Sequence, residues 1–343
     1  MKNIGWVVPF PSVEGSGGIA TIFNHIKMLE GLGEQTVYVN KTPKIKSKEK
    51  LLDIIGKYYG YIPANIVYGH NIAPGHDLLI STFTLHAFRV RKIYAKKKIW
   101  FAQDFEELFV PIGAEYFYIK EAYSYGFKTI CIGKYMQRKL KEDYDIDADY
   151  FDFTVDRSIY KVNGNIDLDY PPSICFLYQP DKTRRCADLG IKALKILKLL
   201  IPELTVYLYG YNGPLVNGQD IKEFINLGLL KPTELADLYN RCRLGICFSP
   251  TNPSRIPFEM QSCGLPVLDL PGDNKDDFMF DGQKVILEAP STKYEEIAIY
   301  IHSLLHQPQK LTKYSELGLK FIKDRDNYLV YNQFRSLIEE ELE

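Results

Sequence analysis

The 343-residue sequence lacks any long hydrophobic segment, which restricts the forms of membrane contact open to it. No apolar run approaches the ~18–20 residues needed to cross a bilayer, so any such contact must be peripheral. Met1 leads directly into a strand-like segment, Ile4–Phe10, without the apolar core and small-residue cleavage site of a signal peptide. We therefore expect a cytoplasmic protein that meets a membrane, if at all, at its inner face.

The sequence also has few residue patterns typical of paired cysteines or of metal sites. None of the six cysteines falls in a C-x-x-C pair or a Cys/His zinc pattern, so reduced thiols are expected. Asp145-Ile146-Asp147 has the D-x-D spacing that holds a divalent metal in another glycosyltransferase fold, but it lies on a polar connector and is interpreted as a solvated acidic loop. The sequence predicts no metal cofactor.

The net charge is only −1, yet it is unevenly distributed. Residues 1–165 hold 22 Lys and Arg against 18 Asp and Glu, and the remainder holds 20 against 25. The N-terminal excess lies in Lys41–Lys50 and Arg89–Lys98, which suit an anionic lipid or a phosphate-bearing acceptor but also suit a solvated loop and helix face. A slightly acidic chain without a recognised nucleic-acid motif is not expected to bind nucleic acid.

Short β-branched runs alternate with helical periodicity along the chain, as in a parallel sheet covered by helices. The alternation stops at the polar segment 160–172, which ends in two prolines, and then restarts. We therefore predict an N-terminal Rossmann-like domain over residues 1–162 and a second over 170–320, with an interdomain cleft. A C-terminal helix, 321–343, is predicted to cross back toward the first domain.

A glycine-rich turn, Gly15-Ser16-Gly17-Gly18, follows the first predicted strand and precedes a helix. Backbone amides in such a turn can approach an anion at the positive end of the helix dipole. The spacing is not G-x-G-x-x-G, so a nicotinamide cofactor is disfavoured. Gly17 and Gly18 are predicted donor-binding residues, with a purely structural turn as the alternative.

A second strand–turn–helix sequence begins after Leu244–Phe248 and contains Asn252, Ser254 and Arg255 at the turn. Their backbone amides are expected at the carboxyl edge of the sheet, where α/β folds bind ligands. Glu259 follows about one helical turn later. Its carboxylate can accept two hydroxyl hydrogen bonds, which suits a ribose, although a favourable first-turn charge is the simpler interpretation.

The segment from Asn226 to Asp269 resembles the second domain of the GT-B retaining glycosyltransferases. That group carries two glutamates separated by seven residues; here the second is Glu259, and Thr251 occupies the first position. Four further segments are similar, in order, to the rhamnosyltransferases of bacterial rhamnan and S-layer glycan assembly. They are Phe101–Phe109, Gly113–Tyr116, Phe151–Tyr160 and Asn252-Pro253-Ser254.

The resemblance implies a diphosphate clamp in residues 179–185, where Arg184 matches the downstream cation and Gln179 replaces the upstream arginine. It implies that Gln103 and Asp104 lie where related enzymes carry a His-Asp pair, with Asp104 touching the acceptor hydroxyl or the donor sugar. Glu106 and Glu107 are the next candidates. The predicted catalytic residues are Asp104, Gln103 and Arg184, and the further donor-binding residues are Lys182, Arg185, Gly210 and Leu229.

These features predict a metal-independent transfer of a sugar from a nucleotide-diphosphate donor to a saccharide hydroxyl in surface-glycan synthesis, with dTDP-rhamnose as donor. An oligosaccharide or a lipid-linked glycan is the expected acceptor. A sugar-nucleotide 2-epimerase of the same fold is an alternative, although Thr251 removes a carboxylate that such an enzyme would use. A saccharide-binding protein without turnover is the third reading, because Gln179 and Thr251 depart from the family pattern.

Overall fold

The computed structural model describes residues 2–10, 16–164, 172–213 and 220–343. The chain divides into two compact units, Met1–Asp152 with Tyr328–Glu343, and Phe153–Asn327. The sequence prediction extended the first domain to residue 162, whereas the chain joins the second unit at Phe153. Packing accounts for the difference: the amide of Val155 donates to the carbonyl of Arg325, and the ring of Phe153 stacks on Phe258. Most of the predicted linker, residues 165–171, lies outside the described residues.

The first unit contains a seven-stranded parallel sheet of order β3-β2-β1-β4-β5-β6-β7. Its strands are β1 (Asn3–Val8), β2 (Glu34–Val39), β3 (Asn65–Tyr68), β4 (His76–Ser81), β5 (Ala95–Ala102), β6 (Lys128–Ile132) and β7 (Ala148–Phe151). Its connecting helices are α1 (Gly17–Met28), α2 (Lys48–Tyr59), α3 (Thr84–Val90), α4 (Ala114–Tyr123) and α5 (Lys134–Tyr144). Successive residues of β1 are buried, from Ile4 to Val8, as expected for a strand covered on both faces.

The second unit contains a six-stranded parallel sheet of order β10-β9-β8-β11-β12-β15. Its strands are β8 (Ser173–Leu177), β9 (Thr205–Tyr209), β10 (Ile225–Asn226), β11 (Leu244–Ile246), β12 (Val267–Asp269) and β15 (Leu287–Glu288), with a separate hairpin of β13 (Met279–Phe280) and β14 (Gln283–Lys284). Its helices are α6 (Ala187–Leu200), α7 (Pro232–Arg241), α8 (Ile256–Ser262), α9 (Tyr294–Leu305) and α10 (Pro308–Phe321).

The core of the second unit needs a glycine where α6 lies against the sheet. A Cβ atom on Gly190 would lie 2.2 Å from Cζ of Phe176, a fully buried residue of β8. Real Cβ atoms do not approach so closely, so the absence of a side chain lets the helix backbone contact the aromatic ring. Close packing of this kind fixes the helix on the strand whose carboxyl end carries residues 179–185.

The C-terminal helix, α11 (Asn327–Leu342), begins six residues after the predicted start. Its Phe334 is fully buried in the first unit and packs at 5.3 Å from the ring centroids of both Phe101 and Phe151. Arg335 donates from Nη1 to the carbonyl of Met28 at 3.0 Å. These contacts assign residues 328–343 to the first unit. Among the residues that the structure describes, none of the helices has the length and apolar character of a membrane span.

Candidate functional site

The two sheets each gather loop residues at one edge, because the carboxyl ends of parallel strands point the same way. In the second unit, this edge carries the segments that follow β8, β9, β11 and β12. The segment after β11, residues 247–255, is the predicted strand–turn–helix and leads into α8 at Ile256. Asn252 is buried there, while Ser254 and Arg255 are half-buried.

Ser249 lies near the start of this segment, and its amide, carbonyl and hydroxyl are each hydrogen-bonded. Its amide donates to Oδ1 of Asp269 at 2.8 Å, and its carbonyl accepts from Nδ2 of Asn274 at 2.5 Å. Its hydroxyl accepts from Nη1 of Arg185 at 2.7 Å. Lys275 completes the set with bonds from Nζ to Oδ2 of Asp269 at 2.8 Å and to Oδ1 of Asn274 at 2.7 Å. Burial raises the pKa of Asp269, and the ammonium group of Lys275 opposes that shift.

Glu259 lies one turn inside α8 with only 5% of its side chain exposed. Its Oε1 accepts a hydrogen bond from Nη2 of Arg255 at 3.0 Å. The phenol of Tyr160 interacts with the same carboxylate, and the pKa of Tyr160 is raised, first by burial and then by the Glu259 charge. Tyr209 and Tyr239 share a hydrogen bond of 3.1 Å between their hydroxyls, and both have a pKa raised by burial with a contribution from Glu259. The carboxylate thus pairs with one guanidinium and one phenol, and its charge also acts on the phenols of Tyr209 and Tyr239.

The segments after β8 and β9 lie side by side at this edge. Nε2 of Gln179 donates to the carbonyl of Gly210 at 3.3 Å, so the residue that replaces the expected arginine contacts the end of β9. The amide of Leu229 donates to Oδ1 of Asn212 at 2.9 Å. Lys182 and Arg184 are both half-buried. Lys182 immediately precedes the 3-10 turn Thr183–Arg185, and Arg184 lies within it. The predicted donor-binding residues of this unit therefore occupy adjacent loops of one sheet edge.

The corresponding edge of the first unit brings Gln103 to the start of α1. A Cβ atom on Gly18 would lie 3.4 Å from Oε1 of Gln103, so a larger residue at position 18 would crowd that carboxamide, whereas Gly17 faces open space. Gly15 lies outside the described residues. Asp104 is half-buried, and its Oδ1 accepts a hydrogen bond from the amide of Phe105 at 2.9 Å.

Glu106 and Glu107, the next candidates, are buried beneath this edge at 6% and 4% exposure. Oε2 of Glu106 accepts from the amide of Thr84 at 2.7 Å, and burial, reinforced by the nearby carboxylates of Asp104 and Glu107, raises the pKa of Glu106 to about 8. Glu107 accepts from the hydroxyls of Tyr123 and, at 2.5 Å, Tyr144. These two glutamates therefore anchor the segment that carries Asp104 to α3, α4 and α5.

Two charged features have local partners. Lys141 pairs with Asp145 at 2.7 Å and Asp147 at 3.1 Å, consistent with a solvated acidic loop. In the basic run 89–98, Lys96 pairs with Asp77 and Lys97 with Glu341. The lysines of the other basic run, at positions 41, 44, 46, 48 and 50, are all exposed.

Comparison with solved structures identifies the architecture. HepE of Anabaena, in complex with UDP-glucose, aligns with a TM-score of 0.73 at 12% identity, over 99% of this chain and 100% of that one. Sucrose-phosphate synthase of Thermosynechococcus elongatus gives a TM-score of 0.72 at 12% identity, over 99% of both chains. A TarM variant of S. aureus, in complex with fondaparinux, alpha-GlcNAc-glycerol and UDP, gives 0.74 at 9% identity, over 98% and 99%. The chain has the GT-B fold.

Two sequence comparisons found proteins that parts of this chain resemble. Residues 172–301, most of the second unit, match the family model described as WsaF, C-terminal domain. The O-antigen biosynthesis protein RfbC of Myxococcus xanthus is 27% identical over 225 residues, which is 64% of this chain and 17% of that protein. The chain therefore spans about a sixth of that relative's length. These matches confirm the resemblance to GT-B glycosyltransferases of bacterial surface-glycan synthesis.

The predicted site residues of this GT-B chain fall into two groups. Those in the first unit are Gly17, Gly18, Gln103 and Asp104; those in the second are Lys182, Arg184, Arg185, Gly210, Leu229, Asn252, Ser254, Arg255 and Glu259. Sequence reasoning overlooked the buried polar cluster of Asp269, Asn274 and Lys275. The available signal was a polar run, Asp273–Asp277, at the carboxyl end of a core strand, which is where a GT-B domain places its ligand loops.

Proposed function

We propose that the protein is a glycosyltransferase of bacterial surface-glycan synthesis that takes a sugar from a nucleoside-diphosphate donor and transfers it to a saccharide hydroxyl. The match of residues 172–301 to the WsaF C-terminal domain carries this proposal, because it covers the whole strand–turn–helix of β11 and α8. The GT-B fold and the resemblance to an O-antigen biosynthesis protein give independent support.

The donor diphosphate is assigned to the second unit, at the turn that contains Asn252 and Ser254. Backbone amides at a strand–helix turn attract anions, and Lys182 and Arg184 supply positive charge from the neighbouring loop. In this assignment Arg185 does not bind the diphosphate, because its guanidinium donates a hydrogen bond to the hydroxyl of Ser249. Glu259 is assigned to the ribose hydroxyls, and the segments of Gly210 and Leu229 to the nucleobase end of the donor.

The acceptor is assigned to the first unit, with Asp104 and Gln103 directed at the reacting groups. If the reaction inverts the anomeric centre, Asp104 is the general base that removes the acceptor proton. If it retains the configuration, the departing phosphate oxygen takes that proton, and Asp104 orients the acceptor or the donor sugar. The exposed lysines of residues 41–50 suit an acceptor with a phosphate or a lipid anchor in an anionic membrane.

The proposed donor is dTDP-rhamnose, supported by the similarity of four separated segments to rhamnosyltransferases. The leaving diphosphate is neutralised by cationic side chains and helix-start amides, so no metal is required. Turnover should then persist in excess EDTA. Complete loss of turnover in EDTA, followed by recovery with manganese or magnesium, would contradict this part of the proposal.

The decisive assay incubates the protein with dTDP-rhamnose or UDP-glucose and a panel of oligosaccharide acceptors. The proposal predicts release of nucleoside diphosphate together with a glycosylated product. An isomerised sugar nucleotide without acceptor product would instead identify a 2-epimerase. Saturable nucleotide binding with neither product in any combination would indicate a saccharide-binding protein without turnover.

A further inference from the structure

Ser249 is joined to two segments that are distant from it in sequence, one at Arg185 and one at residues 269–274. Its amide, carbonyl and hydroxyl bind Asp269, Asn274 and Arg185, at 2.8, 2.5 and 2.7 Å. The residue itself is only 1% exposed. Because three separate groups of one buried residue are hydrogen-bonded, these bonds together restrain the position of Ser249.

Asn274 extends this restraint into the turn. Its Nδ2 also donates to the carbonyl of Thr251 at 2.5 Å, so the chain is held on both sides of Pro250, immediately before Asn252. Nδ2 has two hydrogens, and both point at carbonyl oxygens, while Oδ1 accepts from the ammonium group of Lys275. Only this orientation of the carboxamide satisfies all three partners, which fixes the side chain uniquely.

The ion pair behind Asn274 is deeply buried, with 3% of the Lys275 side chain and 1% of the Asp269 side chain exposed. Asp269 accepts from Lys275 and from the amides of Ser249 and Leu270, the latter at 2.7 Å. Buried ion pairs contribute little net stability compared with apolar residues of the same volume, since desolvation offsets the attraction. Stability alone therefore gives little reason for this pair, whereas the geometry of the adjoining turn does.

We infer that Ser249, Asp269, Asn274, Lys275 and Arg185, together called the Ser249 brace, are positioning residues that fix the turn at 250–255 in its donor-binding shape. This inference rests on the proposed function, because that function assigns the diphosphate to the turn. Amides that stabilise the charge of a leaving diphosphate are effective only when they are held in place before the reaction. The brace supplies that rigidity from four buried residues and the half-buried Arg185, none of which is assigned to the donor itself.

The test uses Asn274→Asp in the full chain, with Asn163→Asp, an exposed residue of the same unit, as the matched control. Aspartate has the shape of asparagine and keeps an acceptor for Lys275, but it cannot donate to the two carbonyls. Hydrogen–deuterium exchange of peptides within residues 249–259 is measured without ligand, well below the unfolding temperature. We expect exchange of the turn amides to accelerate at least tenfold in Asn274→Asp and to remain unchanged in the control.

Calorimetric titration of UDP and dTDP then reports the consequence for the donor. We expect Kd to rise about tenfold in Asn274→Asp, and kcat to fall in the same variant. Ser249→Ala loses the Arg185 bond and the 3.9 Å contact with Sγ of Cys247 but keeps both backbone bonds. It should change exchange and Kd in the same direction by a smaller factor, and it serves as the test if Asn274→Asp does not fold.

The outcomes separate the brace from the proposed function. Wild-type exchange rates in a folded Asn274→Asp or Ser249→Ala variant would overturn the brace, whatever the protein binds. Faster exchange with unchanged Kd and kcat would also overturn it, because the turn would then be ordered for stability alone. Faster exchange in a protein whose wild type binds neither nucleotide would support the brace as a restraint on the turn and reject the proposed donor site.

Discussion

Buried carboxylates hold the loops at both sheet edges, but only the second unit adds a buried ammonium group and side-chain donors to the carbonyls of its turn. In the first unit, Glu106 and Glu107 accept hydrogen bonds from an amide and two phenols, and they lie beneath the segment that carries Asp104. In the second unit, Arg185 and Asn274 donate to the hydroxyl and carbonyls of the turn at Ser249–Thr251. Both edges belong to similar parallel sheets, so the difference arises from the side chains and not from the fold.

Under the proposed function, the two edges bind different ligands, and their side chains are consistent with that division. Buried carboxylates beneath an edge favour neutral ligands that donate hydrogen bonds, such as the hydroxyls of a saccharide. In the second unit Lys275 offsets the buried charge of Asp269, and Asn274 occupies the carbonyls of Ser249 and Thr251, while Lys182 and Arg184 in the neighbouring loop supply positive charge that favours an anion. The proposed acceptor at the first unit and the proposed donor diphosphate at the second follow this division.

The largest effect is expected for Lys275→Met in the second unit. Removing the ammonium group leaves Asp269 buried without its ion-pair partner, and breaking a buried pair in this way costs about 3–5 kcal/mol. Chemical denaturation of the variant measures the loss. Lys293→Met removes an exposed pair with Glu296 and should cost far less, because solvent screens such a pair. Equal losses in the two variants would show that the buried pair has no special role.

In the first unit, Glu106→Gln should alter how stability depends on pH. The pKa of Glu106 in the folded protein is about 8, above its ordinary value of 4.5, so its contribution to stability is complete below pH 4.5 and is lost as pH rises through 8. Relative to the variant, the wild type should therefore lose about 2 kcal/mol of unfolding free energy as the pH rises from 6 to 8.

Denaturation at several pH values measures this shift, and the exposed Glu115→Gln variant should retain the wild-type profile. His86, whose pKa burial lowers to about 4, contributes stability that is present above pH 6.5 and lost as pH falls toward 4. Its effect is common to wild type and variant and leaves their difference unchanged. A difference that is constant with pH would mean that Glu106 titrates normally.

A smaller effect is expected at the surface of the same edge. Asp104→Asn keeps the shape of the side chain but removes its charge, so turnover should fall about tenfold, or ~1.4 kcal/mol of barrier height, with nucleotide affinity nearly unchanged. Steady-state kinetics with calorimetry checks both values. Asp143→Asn, which alters an exposed residue of α5, is the control. Unchanged turnover in Asp104→Asn would remove this residue from the proposed site.

Local sequence patterns predicted two parallel α/β domains and the strand–turn–helix around Asn252, and the family resemblance supplied the GT-B fold. Apolar runs followed by helical periodicity correspond to parallel strands and covering helices, and the turn leads into α8 as expected. In each case, the interactions that determine the structure join residues close in sequence or follow a pattern that repeats along the chain.

The buried residues that support each edge could be identified only from the structure. Lys275 lies in a run of charged residues that is typical of a solvated loop, and only tertiary packing places its ammonium group beside Asp269. The roles of Glu106 and Glu107 likewise depend on Thr84 and on tyrosines from two later helices. Nothing in the local sequence distinguishes these buried charges from exposed ones.

The assignment of the nucleotide to the second unit is tested most directly by titrating UDP and dTDP into wild type, Glu259→Ala and the exposed control Glu316→Ala. A carboxylate that accepts ribose hydroxyl bonds in a partly buried site contributes ~1.5–3 kcal/mol, so Glu259→Ala should weaken UDP binding by roughly ten- to a hundredfold. The loss should be smaller for dTDP, which lacks the 2′-hydroxyl, and Glu316→Ala should bind both like the wild type. Equal affinities in all three folded proteins would contradict the account and place the nucleotide elsewhere.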